Sequence, residues 1–317
     1  MSFFPKSVTI VEEGPREGFQ IEKQGIPTAE KIALIDALSA TGLRTIQIVS
    51  FVNPKRVPGM ADAEQVVEGI TPRDGVAFTA IWFNETGLQR ALSSSRLTVT
   101  GKIRAYASAA FLKQNLNRTP EEHLAHTRQE VAHNREAGLR TTMVSVGAAF
   151  GCNFEGSITP QTVLTMLEDT IRIAAEAGET IEEITLADTM AWATPDKVKH
   201  LVGAVQDRYH NVSICLHLHD TRGMGIANAL AGLQMGVSHF DAAVGGLGGC
   251  PFAAHRGAAG NVCTEDLVFL CEEMGISTGV DLDALIACAE LAERIVGHPL
   301  PGSIKQGGSL TRLRACQ

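Results

Sequence analysis

In "LHLHD" (216–220), His217 and His219 are two residues apart. Side chains alternate faces along a strand, so this spacing puts both imidazoles on one face. Such a pair at a strand end is half of a metal site, and it equally describes two hydrogen-bonded core histidines; a metal needs a further ligand from elsewhere. Glu17, in "GPREGFQ" (14–20), can offer a carboxylate oxygen, and Asn261 can offer an amide oxygen. Two nitrogens and two oxygens suit Mg²⁺, Mn²⁺ or a similar divalent ion better than a closed zinc site, and leave positions for a substrate. If "GPREGFQ" is only a turn, Glu17 serves instead as a helix-dipole carboxylate.

The glycine-rich "GGLGGCPFAAHRGAAGN" (245–261) carries Cys250 in its middle. So much glycine costs chain entropy and marks a loop that moves or lets backbone approach a ligand. A thiol on such a loop is a candidate for acid–base work, whereas Cys215, Cys263, Cys271 and Cys288 lie in strand or helix patterns and read as core. "SFVNPKRVPGM" (50–60) and "FLKQNLN" (111–117) read as loops after the second and fourth strands. Their Lys55 and Asn115, with Ser50 and Gln47 at the end of the second strand, are candidate substrate-binding residues for an anionic group. Solvated loop polarity explains each lysine equally well.

These residues need elements to position them. Eight β-rich runs, at 7–12, 44–51, 76–83, 102–109, 140–147, 181–188, 212–219 and 239–246, alternate with helical patterns. Of the five clearest helical patterns, four open on Thr followed by Pro or near a glutamate, and four close on Gly. Eight β-then-α units predict an α/β fold of the (β/α)8 TIM-barrel type over residues 1–280, with a helical extension packed on it over 281–317. A doubly wound sheet would be favoured by GxGxxG after the first strand, and that motif is absent there. In a barrel the chemistry sits at the C-terminal strand ends, where the candidate residues fall.

With 44% hydrophobic and 20% charged residues, the composition is that of a globular protein with a full core. A formal charge of −8 argues against nucleic acid as a partner but leaves room for an anionic small molecule met by local Arg and Lys. Seven cysteines without CxxC spacing fit reduced thiols. "MSFFPKSVTI" lacks the apolar stretch of a signal peptide, and no apolar run approaches membrane-spanning length. The expectation is a soluble, cytoplasmic protein without a membrane partner.

"GPREGFQ", "SFVNPKRVPGM", "ADTMAWATP", "HLHDTRGMGIANALAGLQMGV", "GLGGCPF" and "GNVCTEDLVFLCEEMGISTGVDL" together resemble the 3-hydroxy-3-methylglutaryl-CoA lyases, from about residue 7 to 295. These belong to a wider group of metal-dependent TIM-barrel lyases and Claisen-type synthases. The resemblance implies a divalent cation held by Glu17, His217, His219 and Asn261. It also implies an essential Arg16, an acidic Asp188 and a catalytic Cys250, with His217 or Asp188 moving the hydroxyl proton. The implied reaction is carbon–carbon cleavage of 3-hydroxy-3-methylglutaryl-CoA or a related 3-hydroxyacyl-CoA to acetyl-CoA and a ketoacid such as acetoacetate. The implied partners are an acyl-CoA substrate and further copies of the chain in a homo-oligomer.

Several positions depart from the family pattern. Glu17 stands where the family usually has Asp, and Gln47 where it has Glu, a change expected to leave the surroundings of Arg16 one charge more positive. "ADTMAWATP" replaces three glycines of the family's "GDTIGVGTP" with alanine and places Trp192 in the loop after strand six. Met143 replaces a tyrosine, and two extra residues lie around His255 and Arg256. Two other readings remain open at this level: a Claisen-type condensing synthase and a non-catalytic acyl-CoA or organic-acid binder.

Overall fold

Each of the eight β-rich runs forms a strand: β1 (Thr9–Glu12), β2 (Thr45–Phe51), β3 (Ala77–Trp82), β4 (Gly101–Tyr106), β5 (Thr141–Gly147), β6 (Glu183–Ala187), β7 (Ser213–His217) and β8 (His239–Ala242). The structure is a computed structural model that describes residues 4–22, 25–249, 260–310 and 314. These residues gather into two compact units.

One unit is built from Lys6–Thr98, Phe240–Gly249 and the chain from residue 260 on, and its strands run in the order β3-β2-β1-β8. Val11 lies opposite Thr45 and Ile46 opposite Phe78, both pairs in parallel register. The register of β2 slips between Gln47 and Val49, a bulge that breaks the simple alternation of its side chains. The other unit centres on Val99–His239 and runs β7-β6-β5-β4, again parallel. Across it Ile103, Val144, Ile184 and Ile214 form one buried row, as expected for strands covered on both faces. Four βα steps in each unit make the eight of a (β/α)8 TIM barrel, as the sequence predicts.

Helix starts follow the capping chemistry at three of the four threonines. Thr119, Thr159 and Thr194 each accept the backbone N–H three residues on, with Pro at the first helical position, and Glu122 completes a capping box with Thr119. Thr28 is the exception: it lies inside helix Thr28–Ser39 after Pro27, and its hydroxyl donates to Asp62 at 2.7 Å. A second correction concerns "FLKQNLN". It is not a loop but the body of helix Ala109–Leu116, because Ser108 Oγ accepts Phe111 N–H at 3.0 Å and Asn117 ends the helix in the left-handed region at φ +52°. Near the C-terminus, helix Leu282–Val296 is capped by Asp281, whose own N–H reaches Thr41 O at 2.7 Å. Among the described residues no helix is long and apolar enough to cross a membrane.

Candidate active site

In the first unit the turn after β1 carries the chemistry. Glu13 follows β1 directly, and residues Gly14–Gly18 form a single π-helical turn in which Glu17 N–H donates to Glu13 O at 2.8 Å. Such turns put consecutive side chains where an α-helix would not. Pro15 sits at the start, where its missing N–H costs nothing.

The guanidinium of Arg16 is enclosed by acceptors. Its Nε donates to Gln47 Oε1 at 2.5 Å, one terminal nitrogen pairs with Glu17 Oε2 at 2.9 Å, and the other donates to Glu13 Oε2. Burial alone would weaken this charge, but Glu13, Glu17 and Asp241 around it outweigh the effect and hold the group firmly protonated. The charge that position 47 lacks is therefore present, delivered from Glu13. The expected change of charge considered positions 17 and 47 alone, and Glu13, part of the charge cluster around Gly14, adds a carboxylate to Arg16. The i, i+3 spacing of Glu13 and Arg16 was the available signal.

Glu17 is 8% exposed and its Oε1 accepts from Asn261 Nδ2 at 3.0 Å and from Gly249 N at 3.1 Å. Asn261 spends its second amide N–H on Leu247 O, also at 3.0 Å. With both N–H groups of the amide bound, Oδ1 is the remaining ligand atom of Asn261. Gly248 makes this approach possible: its φ is +86°, and a Cβ there would fall 2.6 Å from Asn261 Nδ2 and 2.7 Å from Glu17 Cγ.

Below this turn lies Glu12, wholly buried. Its Oε1 accepts from Gly14 N at 2.7 Å and Val244 N at 2.9 Å, and its Oε2 accepts from Thr264 Oγ1 at 2.6 Å. Burial pushes its carboxyl up to about 7, against the pull of those three hydrogen bonds. Glu265 is likewise buried and lifted to about 8, with Gly245 N donating to its Oε2 at 2.9 Å. Neither was singled out from sequence as a buried carboxyl, since charged residues rarely lie fully inside.

The other unit holds the histidines. His217 ends β7 and His219 follows two residues on, their rings 5.1 Å apart edge to face, so each can offer a nitrogen close to the other's. His219 Nδ1 lies 2.8 Å from the carbonyl oxygen of Asp188. A carbonyl only accepts, so Nδ1 carries the hydrogen and Nε2 presents its lone pair, the arrangement that orients a metal-ligating imidazole. Asp188 sits just past β6 and is 1% exposed. Its Oδ1 accepts from Trp192 N at 2.7 Å and Ala193 N at 2.9 Å, while Oδ2 has no partner among the described residues. Burial raises its carboxyl above the usual range, opposed by His219, by those two backbone N–H groups and by His217.

The same turn contains Ala191 at φ +54°, a left-handed alanine braced by Arg222, which donates to Met190 O and Ala191 O. Trp192 packs on Gly151, where a Cβ would fall 2.7 Å from the ring, and its Nε1 donates to Asn153 Oδ1 at 2.7 Å.

The structure thus groups Arg16, Glu17, Gln47 and Asn261 in one unit and Asp188, His217 and His219 in the other. Ser50 is buried in β2 with Oγ unpartnered among the described residues; Lys55 and Asn115 are exposed. Cys250 lies outside the described residues, as do His255 and Arg256. Carboxylate and amide oxygen in the one unit and imidazole nitrogen in the other are each donor types that hard or borderline divalent cations accept.

Comparison with known proteins agrees with this chemistry. Residues 7–292 match the HMGL-like family. The chain is 39% identical to the (R)-citramalyl-CoA lyase of Chloroflexus aurantiacus, covering 96% of this chain and 95% of that one. The Bacillus subtilis HMG-CoA lyase structure superposes with a TM-score of 0.86 at 37% identity, covering 96% of this chain and 98% of that chain. An HMG-CoA lyase from Acinetobacter baumannii, in complex with coenzyme A and 3-methylmalate, matches with a TM-score of 0.84 at 37% identity over 96% of each chain. Matched in sequence and in fold over nearly its whole length, the chain belongs to the HMGL-like family and is a lyase.

Proposed function

We propose that the chain cleaves the C2–C3 bond of a 3-hydroxyacyl-CoA whose C3 is tertiary and whose acyl chain ends in a carboxylate. That class includes 3-hydroxy-3-methylglutaryl-CoA and citramalyl-CoA. Glu17, His217, His219 and Asn261 would hold one divalent cation, Mg²⁺ or Mn²⁺, which supplies positive charge for the substrate's oxygens. The observation that carries this reading is the tautomer of His219, fixed by the Asp188 carbonyl so that Nε2 is the ligating nitrogen beside His217. The relatives support the substrate class: one is a citramalyl-CoA lyase, and one was captured with coenzyme A and 3-methylmalate.

Three of Arg16's five N–H donors are committed among the described residues, and the remaining two suit the thioester oxygen as negative charge grows there. Asp188 Oδ2 or His217 takes the proton of the 3-hydroxyl. The C3–O bond becomes a carbonyl as the C2–C3 pair passes into the thioester enolate. Cys250 Sγ returns a proton to C2, giving acetyl-CoA and a ketoacid, acetoacetate in the case of 3-hydroxy-3-methylglutaryl-CoA. The same reading takes residues 1–280 as the catalytic barrel, 281–317 as its helical extension and the working particle as a cytoplasmic homo-oligomer. The test is acetyl-CoA release from 3-hydroxy-3-methylglutaryl-CoA and from citramalyl-CoA by the purified protein. Release from at least one supports the proposal, and release from neither with added Mg²⁺ or Mn²⁺ overturns it.

A further inference from the structure

Arg16 pairs with three side chains, of which two are acidic, and Asp241 is a third carboxylate whose charge acts on it. Glu13, Glu17 and Asp241 surround the guanidinium, and only Gln47 is neutral. Glu17 is a proposed cation ligand, whereas Glu13 places its Oε2 on a terminal nitrogen of the arginine. Glu13 is 4% exposed and is tied to the turn twice over, by its side chain on Arg16 and by its carbonyl on Glu17 N–H. Gln47 reaches the same guanidinium from β2 through Nε, 31 residues away in sequence. The two positions hold different nitrogens of one planar group, Glu13 with a carboxylate and Gln47 with an amide.

We propose that Glu13 is a positioning residue that aims Arg16, and that positions 13 and 47 form one divided anchor requiring a single carboxylate at either place. This rests on the lyase reading above. A carboxylate adds ion-pair attraction to its hydrogen bond with a guanidinium, so removing it frees Arg16 to leave its reactive orientation. A second carboxylate at 47 would crowd a fourth negative charge around one cation and bind the arginine in place of the substrate.

The anchor predicts a reciprocal pattern. Glu13→Val lowers kcat by roughly 10- to 100-fold, the scale of a misaimed catalytic group, with KM and bound metal little changed. Gln47→Glu alone also lowers kcat. The double variant Glu13→Val/Gln47→Glu regains most of the lost rate, and Glu13→Gln, which keeps the shape and the acceptor, falls between wild type and Glu13→Val. Acetyl-CoA release from the better of the two acyl-CoA substrates gives kcat and KM. The Arg16 Nε–H nuclear resonance reports the anchor without any turnover: it is protected from exchange in wild type, lost in Glu13→Val and restored in the double variant. Wild-type turnover in Glu13→Val, or a double variant no better than Glu13→Val while both keep wild-type melting temperatures, overturns the proposal. If Glu13→Val does not fold, Glu13→Gln and Gln47→Glu decide alone: unchanged kcat in both overturns it, and a fall in both supports it. A wild-type protein without lyase activity sinks the functional reading instead, and the Arg16 resonance still decides the anchor.

Discussion

Asn261 Nδ2 donates to Glu17 Oε1 at 3.0 Å, joining the segment after β8 to the turn after β1. The contact fixes the carboxylate and, by using the amide N–H groups, leaves Asn261 Oδ1 as a ligand atom. Replacing Asn261 by Ala therefore removes a ligand and the orientation of a second ligand together. Mn²⁺ affinity, measured by equilibrium dialysis, is expected to fall at least 10- to 100-fold, the range seen when such supporting contacts are lost. Unchanged affinity would remove Asn261 from the ligand set.

Glu17 has one methylene more than the Asp of the family pattern, a length that, on the proposed reading, it shares with the substrate. 3-Hydroxy-3-methylglutaryl-CoA has one methylene more than citramalyl-CoA between its carbinol carbon and its carboxylate. Glu17→Asp should shift the ratio of kcat/KM values toward the longer acid, by roughly 10-fold for one methylene's worth of fit. A ratio that stays fixed, or moves toward citramalyl-CoA, would show that Glu17 does not set acyl length.

Ala191 occupies the left-handed region at φ +54°. An alanine there costs about 1–2 kcal/mol, which glycine would relieve while losing chain entropy and a buried methyl. The terms nearly cancel, so Ala191→Gly should leave stability within about 0.5 kcal/mol of wild type. Ala229, buried inside helix Gly225–Gln234, has no such strain, and Ala229→Gly should cost about 1 kcal/mol or more. Urea unfolding of both variants checks the contrast, and equal losses would contradict it.

Glu12 and Glu265 give the fold a pH dependence with a definite sign. Their carboxyls rise from 4.5 to about 7 and about 8 on burial. Between those limits the unfolded chain has released protons that the folded chain keeps, so stability is greatest on the acid side and falls as pH rises through about 7 and then about 8. Each group contributes a slope of about 1.4 kcal/mol per pH unit within its own window. Glu265→Gln should flatten the urea midpoint between pH 5.5 and 8 and make the variant the more stable protein at the alkaline end. A wild type and variant with parallel pH profiles would show that Glu265 is not held protonated.

Much of this was legible in the sequence because parallel strands buried on both faces read as apolar runs, and Thr-Pro starts mark helices. Helices Ala63–Gly69, Glu85–Leu92 and Ala109–Leu116 were harder: each is two turns long, too short for a clear period, and the caps Asn84 and Ser108 emerge only in the structure. The bulge at Gln47–Val49 leaves no mark in composition, because it is a slip of register against β3. At the site, the residue types of Glu17, His217, His219 and Asn261 were readable, and so was the clustering of charge around Gly14. How that charge divides was not. Glu12 turns inward to Val244 and Thr264 while its neighbour Glu13 turns to Arg16, and only the path of the π turn decides this.

On the proposed function, 3-hydroxyacyl-CoA cleavage by this chain depends on a divalent cation held by Glu17, His217, His219 and Asn261. The direct measurement is acetyl-CoA release from 3-hydroxy-3-methylglutaryl-CoA and citramalyl-CoA before chelation, after EDTA, and after Mn²⁺ or Mg²⁺ is returned, with His219→Ala alongside. The expected result is release that EDTA abolishes and the cation restores in wild type, with no restoration in His219→Ala. Release that survives complete removal of the metal, or that His219→Ala recovers in full, would contradict it.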